Sequence, residues 1–143
     1  MLLRPFVLGA IAASALLPFA APASAQTAGD FQDARVEVSP GCGGMFRTQV
    51  SVAPLPTDAN GVAVAVMFRA DRQDPACSAD ATVSWRNVDS GASGTEDLTV
   101  SSVPDPGGRF PTDHGYQRVM ADTGPGTVAV TITTNPGEIS VTV

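Results

Sequence analysis

The stretch TVAVTITTNPGEISVTV, from Thr127 to Val143, decides the fold class. Its first arm places valine and isoleucine at alternate positions, and its second arm does the same after an Asn-Pro-Gly break. Alternation with a period of two is typical of a strand with one buried face, and Asn, Pro and Gly are turn-forming residues. The stretch therefore predicts a β-hairpin whose register is set by its buried side chains.

The same alternation recurs along the chain from residue 34 onward. Six further short runs are separated by segments that contain Pro, Gly and Asx residues; they are ARVEV, FRTQVSV, VAVAVMFR, TVSWRN, DLTVSS and YQRVMA. Proline falls between the runs and not inside them, as central strands require. The pattern predicts an all-β fold, a single antiparallel β-sandwich of about seven to eight strands that spans residues 34–143.

The first 25 residues have the layout of a secretory signal peptide. Arg4 supplies a positive charge, an apolar run follows from Phe6 to Phe19, and Ala-Ser-Ala at 23–25 forms a small-residue cleavage site. A membrane anchor is the alternative, but prolines interrupt the run, which is shorter than the ~20 residues of a membrane span. We expect cleavage after residue 25, a flexible leader at 26–33, and a secreted protein, extracellular or associated with the cell envelope.

The charge balance argues against nucleic acid as a partner. The chain has 14 acidic residues, no lysine and a formal net charge of −6, which becomes −7 when Arg4 leaves with the signal peptide. Proteins that bind polyanions need clustered positive charge, whereas these arginines are scattered along the chain. Stable insertion into a membrane is not indicated either, because no second apolar run follows the signal. The sequence does not decide the oligomeric state.

Cys42 and Cys77 are the two cysteines of the chain. In an exported protein such a pair predicts one disulfide, whereas a reactive thiol pair would favour a close Cys-x-x-Cys spacing. Two cysteines and one histidine make an incomplete zinc set, so no metal and no cofactor is predicted. Acidic loops at 71–80 and 89–97 offer oxygen ligands for calcium but do not fit the EF-hand pattern, which leaves calcium binding open.

The stretch FPTDHGYQRV, residues 110–119, holds the only histidine and the only tyrosine. Asp113 is a poor partner for a catalytic His114, because neighbouring side chains on extended backbone point to opposite faces. The chain has no Gly-x-Ser-x-Gly elbow, and its acids fall mostly in loops or at outward positions. Pro, Asp and Gly instead predict a turn, with Tyr116 as a structural corner residue whose hydroxyl bonds to backbone. No catalytic residue is predicted, and we do not expect an enzyme.

Trp85, the one tryptophan, lies on a predicted strand with Val83 on the same face. A core anchor close to the disulfide is the favoured interpretation, because a buried indole removes a large apolar area from water. The alternative is an exposed platform on which a ligand stacks, as in carbohydrate binders. Such platforms commonly use more than one aromatic residue, and most aromatic residues of this chain are needed for its core.

Three segments carry a resemblance to known proteins: PTDANGVAVAV at 56–66, VSWRN at 83–87 and GYQRVMADTGPGTVAVTI at 115–132. With them the chain resembles bacterial immunoglobulin-like and fibronectin type III-like sandwiches, and in composition it is similar to small secreted actinobacterial proteins. Both cysteines precede Trp85, whereas antibody-type domains bracket the tryptophan, so that family's disulfide does not carry over. A smaller similarity, in size, charge and TDANG, is to acidic apoproteins that carry enediyne chromophores, which have two disulfides.

These observations predict a secreted, non-catalytic β-sandwich protein that acts as a binding or interaction module, with a protein or an envelope component as its partner. The loops at 54–61, 71–80 and 105–115 would form its recognition edge. An alternative is a carrier of an apolar small molecule, whose pocket would be lined by Met45, Met67, Met120 and Phe110. An exported hydrolase that uses His114 or two carboxylates is the third option.

Overall fold

The computed structural model describes residues 25–104, 107 and 113–143. This part of the chain forms nine β-strands and no helix, which confirms the predicted all-β fold. The strands are β1 (Ala28–Asp30), β2 (Ala34–Ser39), β3 (Cys42–Pro54), β4 (Asn60–Ala70), β5 (Ser78–Asn87), β6 (Ser93–Ser101), β7 (Gly115–Ala121), β8 (Thr127–Ile132) and β9 (Asn135–Thr142). The predicted signal peptide, except for Ala25, and Phe110 lie outside the described residues.

Two antiparallel sheets pack against each other as a β-sandwich. Sheet A has the strand order β1-β3-β4-β7, and β2 pairs with β3 further along the edge that β1 occupies. Sheet B has the order β6-β5-β8-β9. The predicted C-terminal hairpin is confirmed as β8 and β9, but its turn falls at Thr133 and Thr134, where Ile132 lies opposite Asn135. The register is irregular between Val130 and Ile132, so the Asn-Pro-Gly segment belongs to β9 and not to the turn.

The core is built from alternate side chains of the strands, as the period of two predicts. In the middle of β3 and β4 the inward residues are buried, and Phe46 lies opposite Phe68. Their rings stack with centroids 4.3 Å apart and planes inclined by 12°. Burying a side chain of this kind stabilises the fold by about 1.5–3 kcal/mol, so this pair anchors sheet A on the core.

A disulfide joins the two sheets. Cys42 is the first residue of β3 in sheet A, and Cys77 directly precedes β5 in sheet B. Their sulfur atoms are bonded and their Cα atoms lie 5.4 Å apart, which confirms the predicted pairing. Both cysteines are buried. The bridge therefore ties the sheets together at the end of the sandwich where β3 and β5 begin.

A buried asparagine makes a second link between the sheets. Asn135 of β9 accepts a hydrogen bond from the hydroxyl of Thr48 on β3 at 2.7 Å. Its amide nitrogen donates to the backbone oxygens of Phe46 at 3.0 Å and Gln32 at 2.9 Å. Asn135 and Thr48 are 4% and 0% exposed, and a buried polar group is tolerated when its hydrogen bonds are made. Sequence reasoning assigned Asn135 only to a turn.

The segment 26–33, for which the sequence predicts a flexible leader, contributes to the sandwich. Its residues 28–30 form β1 on the edge of β3, and Phe31 is only 4% exposed within the core. The backbone oxygen of Gln26 accepts a hydrogen bond from the Thr142 N–H at 2.7 Å, which connects the start of this segment to sheet B. One buried phenyl ring is enough to dock a segment whose other residues are small or polar.

Candidate interaction surface

The tripeptide Met-Phe-Arg occurs twice, at 45–47 in β3 and at 67–69 in β4. The two copies pair with each other in antiparallel register, so Met45 lies opposite Arg69 and Arg47 lies opposite Met67. The phenylalanines point into the core, and residues on either side of them point outward because side chains alternate along a strand. This repeat is the sequence signal for a methionine- and arginine-rich outer surface on sheet A. The search for alternating strands did not use it.

Strand β7 and strand β2 extend the same outer surface of sheet A. Tyr116 lies opposite Met67, and Arg35 lies opposite Met45. Exposed fractions are high for large apolar side chains: 40% for Met45 and 37% for both Tyr116 and Met120. We call this surface the arginine–methionine face; it consists of Arg35, Met45, Arg47, Met67, Arg69, Tyr116, Arg118 and Met120.

The outer surface of sheet B has a different composition. Its strands β5 and β6 present mainly small hydroxyl side chains, together with Arg86 and two aspartates that pair with threonines across the strands. The hydroxyl of Thr82 donates to Asp97 at 2.7 Å, and that of Thr99 donates to Asp80 at 2.6 Å. Arginine, methionine and tyrosine are enriched in protein–protein interfaces, whereas serine and aspartate are depleted there. In amino-acid composition, the outer surface of sheet A therefore matches protein–protein interfaces better than the outer surface of sheet B does.

Ion pairs involve three of the four arginines of the arginine–methionine face. Asp33 pairs with Arg47 at 3.1 Å, Asp113 lies 3.7 Å from Arg69, and Asp71 pairs with Arg35. The hydrogen bond from Arg35 is the main reason why the pKa of Asp71 is held below its ordinary value. Three of the four arginines of the face thus have a carboxylate beside them.

Arg118 differs from the other three arginines of the face. It lies on β7 opposite Ala65. Within the described part of the chain it forms no ion pair. Arg118 is therefore the arginine whose charge remains available to a carboxylate of another molecule.

The geometry of Asp113 and His114 differs from the sequence expectation. The two residues lie in a bend before β7, and not on extended backbone, so their side chains meet: Nδ1 of His114 is 2.8 Å from Oδ1 of Asp113. This contact, followed by the charge of Arg69, lowers the pKa of the Asp113 carboxyl. The argument that neighbouring side chains must point apart therefore does not apply here, since it holds for strands only.

A shallow depression of about 280 Å³ lies on the arginine–methionine face. Its lining includes His114, Asp33 and the outward side chains of both Met-Phe-Arg copies. Of the residues proposed for an apolar carrier pocket, Met45 and Met67 meet here, while Met120 lies further along β7. The structure therefore brings two of the four candidates together, beside charged groups and open to solvent.

The three loops expected to form one recognition edge lie at two ends of the sandwich. The loop at 54–61 follows the end of β3, whereas the loop at 71–80 lies beside the start of β3, where Asp71 N–H donates to the Gly43 oxygen at 2.9 Å. The described end of the third loop, residues 113–115, lies beside the second, because the side-chain amide of Gln73 donates to the Asp113 backbone oxygen at 2.7 Å. Within the described residues, the first loop therefore lies apart from the other two.

Trp85 and Tyr116, both predicted to be structural, occupy different environments. Trp85 packs against the core, and its indole lies over Gly94 on β6, where an added Cβ would come within 2.8 Å of the ring. Tyr116 does not pack as a corner residue; its ring lies on the outer surface of sheet A. Alternation along β7 accounts for this, because Gly115 and Val119 have the inward parity.

In the acidic loops considered for calcium, carboxylates accept hydrogen bonds from backbone N–H groups. Asp74 accepts a hydrogen bond from the Ala76 N–H at 2.9 Å, and Asp89 accepts one from the Thr127 N–H at 2.7 Å. Within residues 25–104, 107 and 113–143, no three His, Cys, Asp or Glu side chains are grouped so that they could hold a metal ion.

None of the described residues belongs to a helix long and apolar enough to cross a membrane. Comparison with protein-family models, curated proteins and solved structures found no match to this chain. The site must therefore be interpreted from its own geometry and chemistry.

Proposed function

We propose that this protein is an exported, non-catalytic binding module that contacts a protein partner through the arginine–methionine face. Export rests on the signal-like segment at 1–25, and it agrees with the buried disulfide, which is a bond that persists in oxidising compartments. The partner would be an envelope or extracellular protein that presents apolar side chains and a carboxylate.

The observation that carries the binding surface is the contrast between the two outer sheet surfaces. Sheet A exposes the arginine–methionine face, and two of its apolar side chains, Met45 and Tyr116, remain open to solvent. Sheet B exposes threonines that already bond to aspartates. Flexible methionines adapt to a partner's shape, and arginines supply directional hydrogen bonds to carboxylates. Arg118 is the expected anchor for such a carboxylate.

The resemblance to immunoglobulin-like domains does not support this function. In those domains the second and third strands lie in different sheets, whereas here the second and third strands, β2 and β3, pair with each other in sheet A. We therefore base the proposal on the surface chemistry and leave the immunoglobulin-like assignment as a prediction.

The carrier of an apolar small molecule is the second candidate, because Met45 and Met67 share one depression. Its volume of about 280 Å³ is at the lower limit of ligand pockets, which span roughly 300–1,000 Å³ and bury most of the ligand. An open depression between charged side chains suits a partner's side chain better than an enclosed apolar ligand. Native mass spectrometry of the secreted protein distinguishes the two candidates. A bound mass that is lost when the protein is denatured would favour the carrier.

The binding proposal is tested with matched charge substitutions on the two outer surfaces. Met45→Glu places a carboxylate on the arginine–methionine face, and Thr95→Glu makes the same change on the outer surface of sheet B. Each variant and the wild type are immobilised and exposed to envelope and medium fractions of the producing cells, and the partner captured by wild type is purified for affinity measurement.

We expect Met45→Glu to bind this partner at least ~10-fold more weakly, because disrupting the centre of an interface costs more than 1 kcal/mol. Thr95→Glu should bind as the wild type does. Equal affinities for all three proteins would refute the assignment of the face. Thermal unfolding of both variants checks that the fold is retained.

A further inference from the structure

Gln26 directly follows the predicted cleavage site, Ala-Ser-Ala at 23–25. We propose that Gln26 is converted to an N-terminal pyroglutamate in the mature protein. The inference rests on the export part of the proposed function, since removal of the signal peptide makes Gln26 the first residue. It does not depend on what the arginine–methionine face binds.

The conversion needs only groups that an N-terminal glutamine itself carries. The α-amino nitrogen, in its neutral form, attacks Cδ of the side-chain amide and forms a five-membered lactam. The Cδ–Nε2 bond breaks, and Nε2 leaves as ammonia with the proton that the α-nitrogen loses. No oxidant, reductant or second substrate enters the reaction.

The structure shows that the fold accommodates this product. The backbone contacts of the first two residues use their carbonyl oxygens: that of Gln26 accepts from the Thr142 N–H at 2.7 Å, and that of Thr27 accepts from the Val52 N–H at 2.8 Å. Both oxygens persist in the lactam. The side-chain amide of Gln26 is exposed and donates only to the Ala28 oxygen at 2.8 Å, so its loss removes one solvent-exposed hydrogen bond.

The chemical consequence is a protein without a primary amine. The sequence contains no lysine, so the α-amino group of Gln26 would be the single amine of the mature chain. Cyclisation removes it, together with its positive charge. It also removes the group that aminopeptidases recognise, which protects β1 from trimming at the chain start.

The test uses the protein secreted into the medium of its producing cells. Trypsin releases the N-terminal peptide 26–35, and mass spectrometry should find it lighter by one ammonia than the unmodified peptide. The intact protein should not react with an amine-directed acylating reagent. A secreted Gln26→Ser variant, which cannot form the lactam, should take up one acyl group per chain.

An unmodified N-terminal peptide, or acylation of the wild type, would overturn the inference. A mature chain that starts at a residue other than Gln26 would also overturn it while leaving export intact. If no product reaches the medium or envelope and the chain keeps residues 1–25, the export part of the proposed function fails instead. The mass of the N-terminal tryptic peptide distinguishes these outcomes.

Discussion

Asn135 shows how much a single interior side chain contributes to this fold. It lies on β9 in sheet B and makes hydrogen bonds to Thr48 and Phe46 on β3 in sheet A. A ladder of backbone hydrogen bonds holds strands within one sheet, but it does not fix one sheet over the other. The buried asparagine does so, because its partners lose their hydrogen bonds if the sheets slide.

We expect Asn135→Ala to lower the free energy of unfolding by about 2–4 kcal/mol, because it leaves buried acceptors and the Thr48 hydroxyl without their partner. Ser140→Ala, an exposed change on the same strand, should stay within about 0.5 kcal/mol of the wild type. Urea denaturation measures both. A loss below about 1 kcal/mol for Asn135→Ala would show that water replaces the missing amide.

Asp113 makes a pH-dependent contact with His114 beside the arginine–methionine face. Its pKa is lowered from the ordinary value of 3.8, first by the His114 ring and then by Arg69. A carboxyl whose pKa is depressed by folding stabilises the folded state above its unfolded pKa, and this contribution is lost as the pH falls through the folded pKa. Because the side chain is exposed, the effect on stability is small, and the titration itself is the better observable.

In His114→Ala we expect the pKa of Asp113 to rise toward 3.8 without reaching it, since Arg69 remains. Carboxyl chemical shifts followed by NMR from neutral pH down to about pH 2 measure the change. The backbone chemical shifts of sheet B, which does not contain residues 113 and 114, serve as the internal control that the fold is retained. An unchanged titration of Asp113 would show that the contact with His114 does not persist in solution.

At the scale of strands, the pairing of β5 with β6 depends on a glycine beneath an indole. Gly94 lies opposite Trp85, and the ring occupies the place of the missing side chain. An aromatic residue that covers a cross-strand glycine shields the exposed backbone and fixes the register of the pair. Trp85 thus acts on an edge strand as well as on the core.

Gly94→Val should therefore destabilise the protein by about 1–3 kcal/mol, because the new methyl groups displace the indole. Thr95→Val, on the next residue and facing outward, should change stability by no more than about 0.5 kcal/mol. Thermal unfolding gives the stabilities, and tryptophan fluorescence of the folded proteins reports whether the ring has moved. If Gly94→Val leaves both readings unchanged, the indole does not occupy the space above Gly94 in solution.

The elements were predictable where side-chain alternation is uninterrupted, as on β4 and β8. The three-residue β1 was not predictable, because this part of the chain has only one large apolar residue, Phe31, and one residue cannot form an alternating pattern. The turn at Thr133 and Thr134 was missed, since Asn-Pro-Gly is the stronger turn signal yet lies in an irregular part of β9. The alternation of apolar residues predicts which side chains of one strand are buried. The position of a turn also depends on which residues of the two strands pair.

At the scale of the molecule, alternation told which side chains face inward but not which strands are neighbours. The arginine–methionine face depends on β3, β4 and β7 lying side by side, and β7 follows β4 in the chain only after two strands of the other sheet. Partner choice among antiparallel strands is a long-range property. The disulfide was predictable because two cysteines allow one intramolecular pairing.

The Cys42–Cys77 bridge should contribute about 3–4 kcal/mol to stability, by the loop-entropy model for its separation of 35 residues. We expect the double variant Cys42→Ala/Cys77→Ala to show a loss of this size in urea denaturation. The wild type in a thiol reductant, compared with the variant in the same buffer, separates the covalent constraint from the removal of two buried sulfur atoms. Equal stability of the oxidised wild type and the variant would exclude the constraint.

The same bridge sets how far the molecule lengthens under tension. A load applied at Gln26 and Val143 pulls on two neighbouring ends, because Gln26 is hydrogen-bonded to Thr142. It peels β1 from β3 and β9 from β8 one hydrogen bond at a time and does not shear whole strands. The segment between Cys42 and Cys77 stays closed, so the oxidised chain pulls out about 120 Å shorter than the reduced one, at ~3.4 Å for each of its 35 residues.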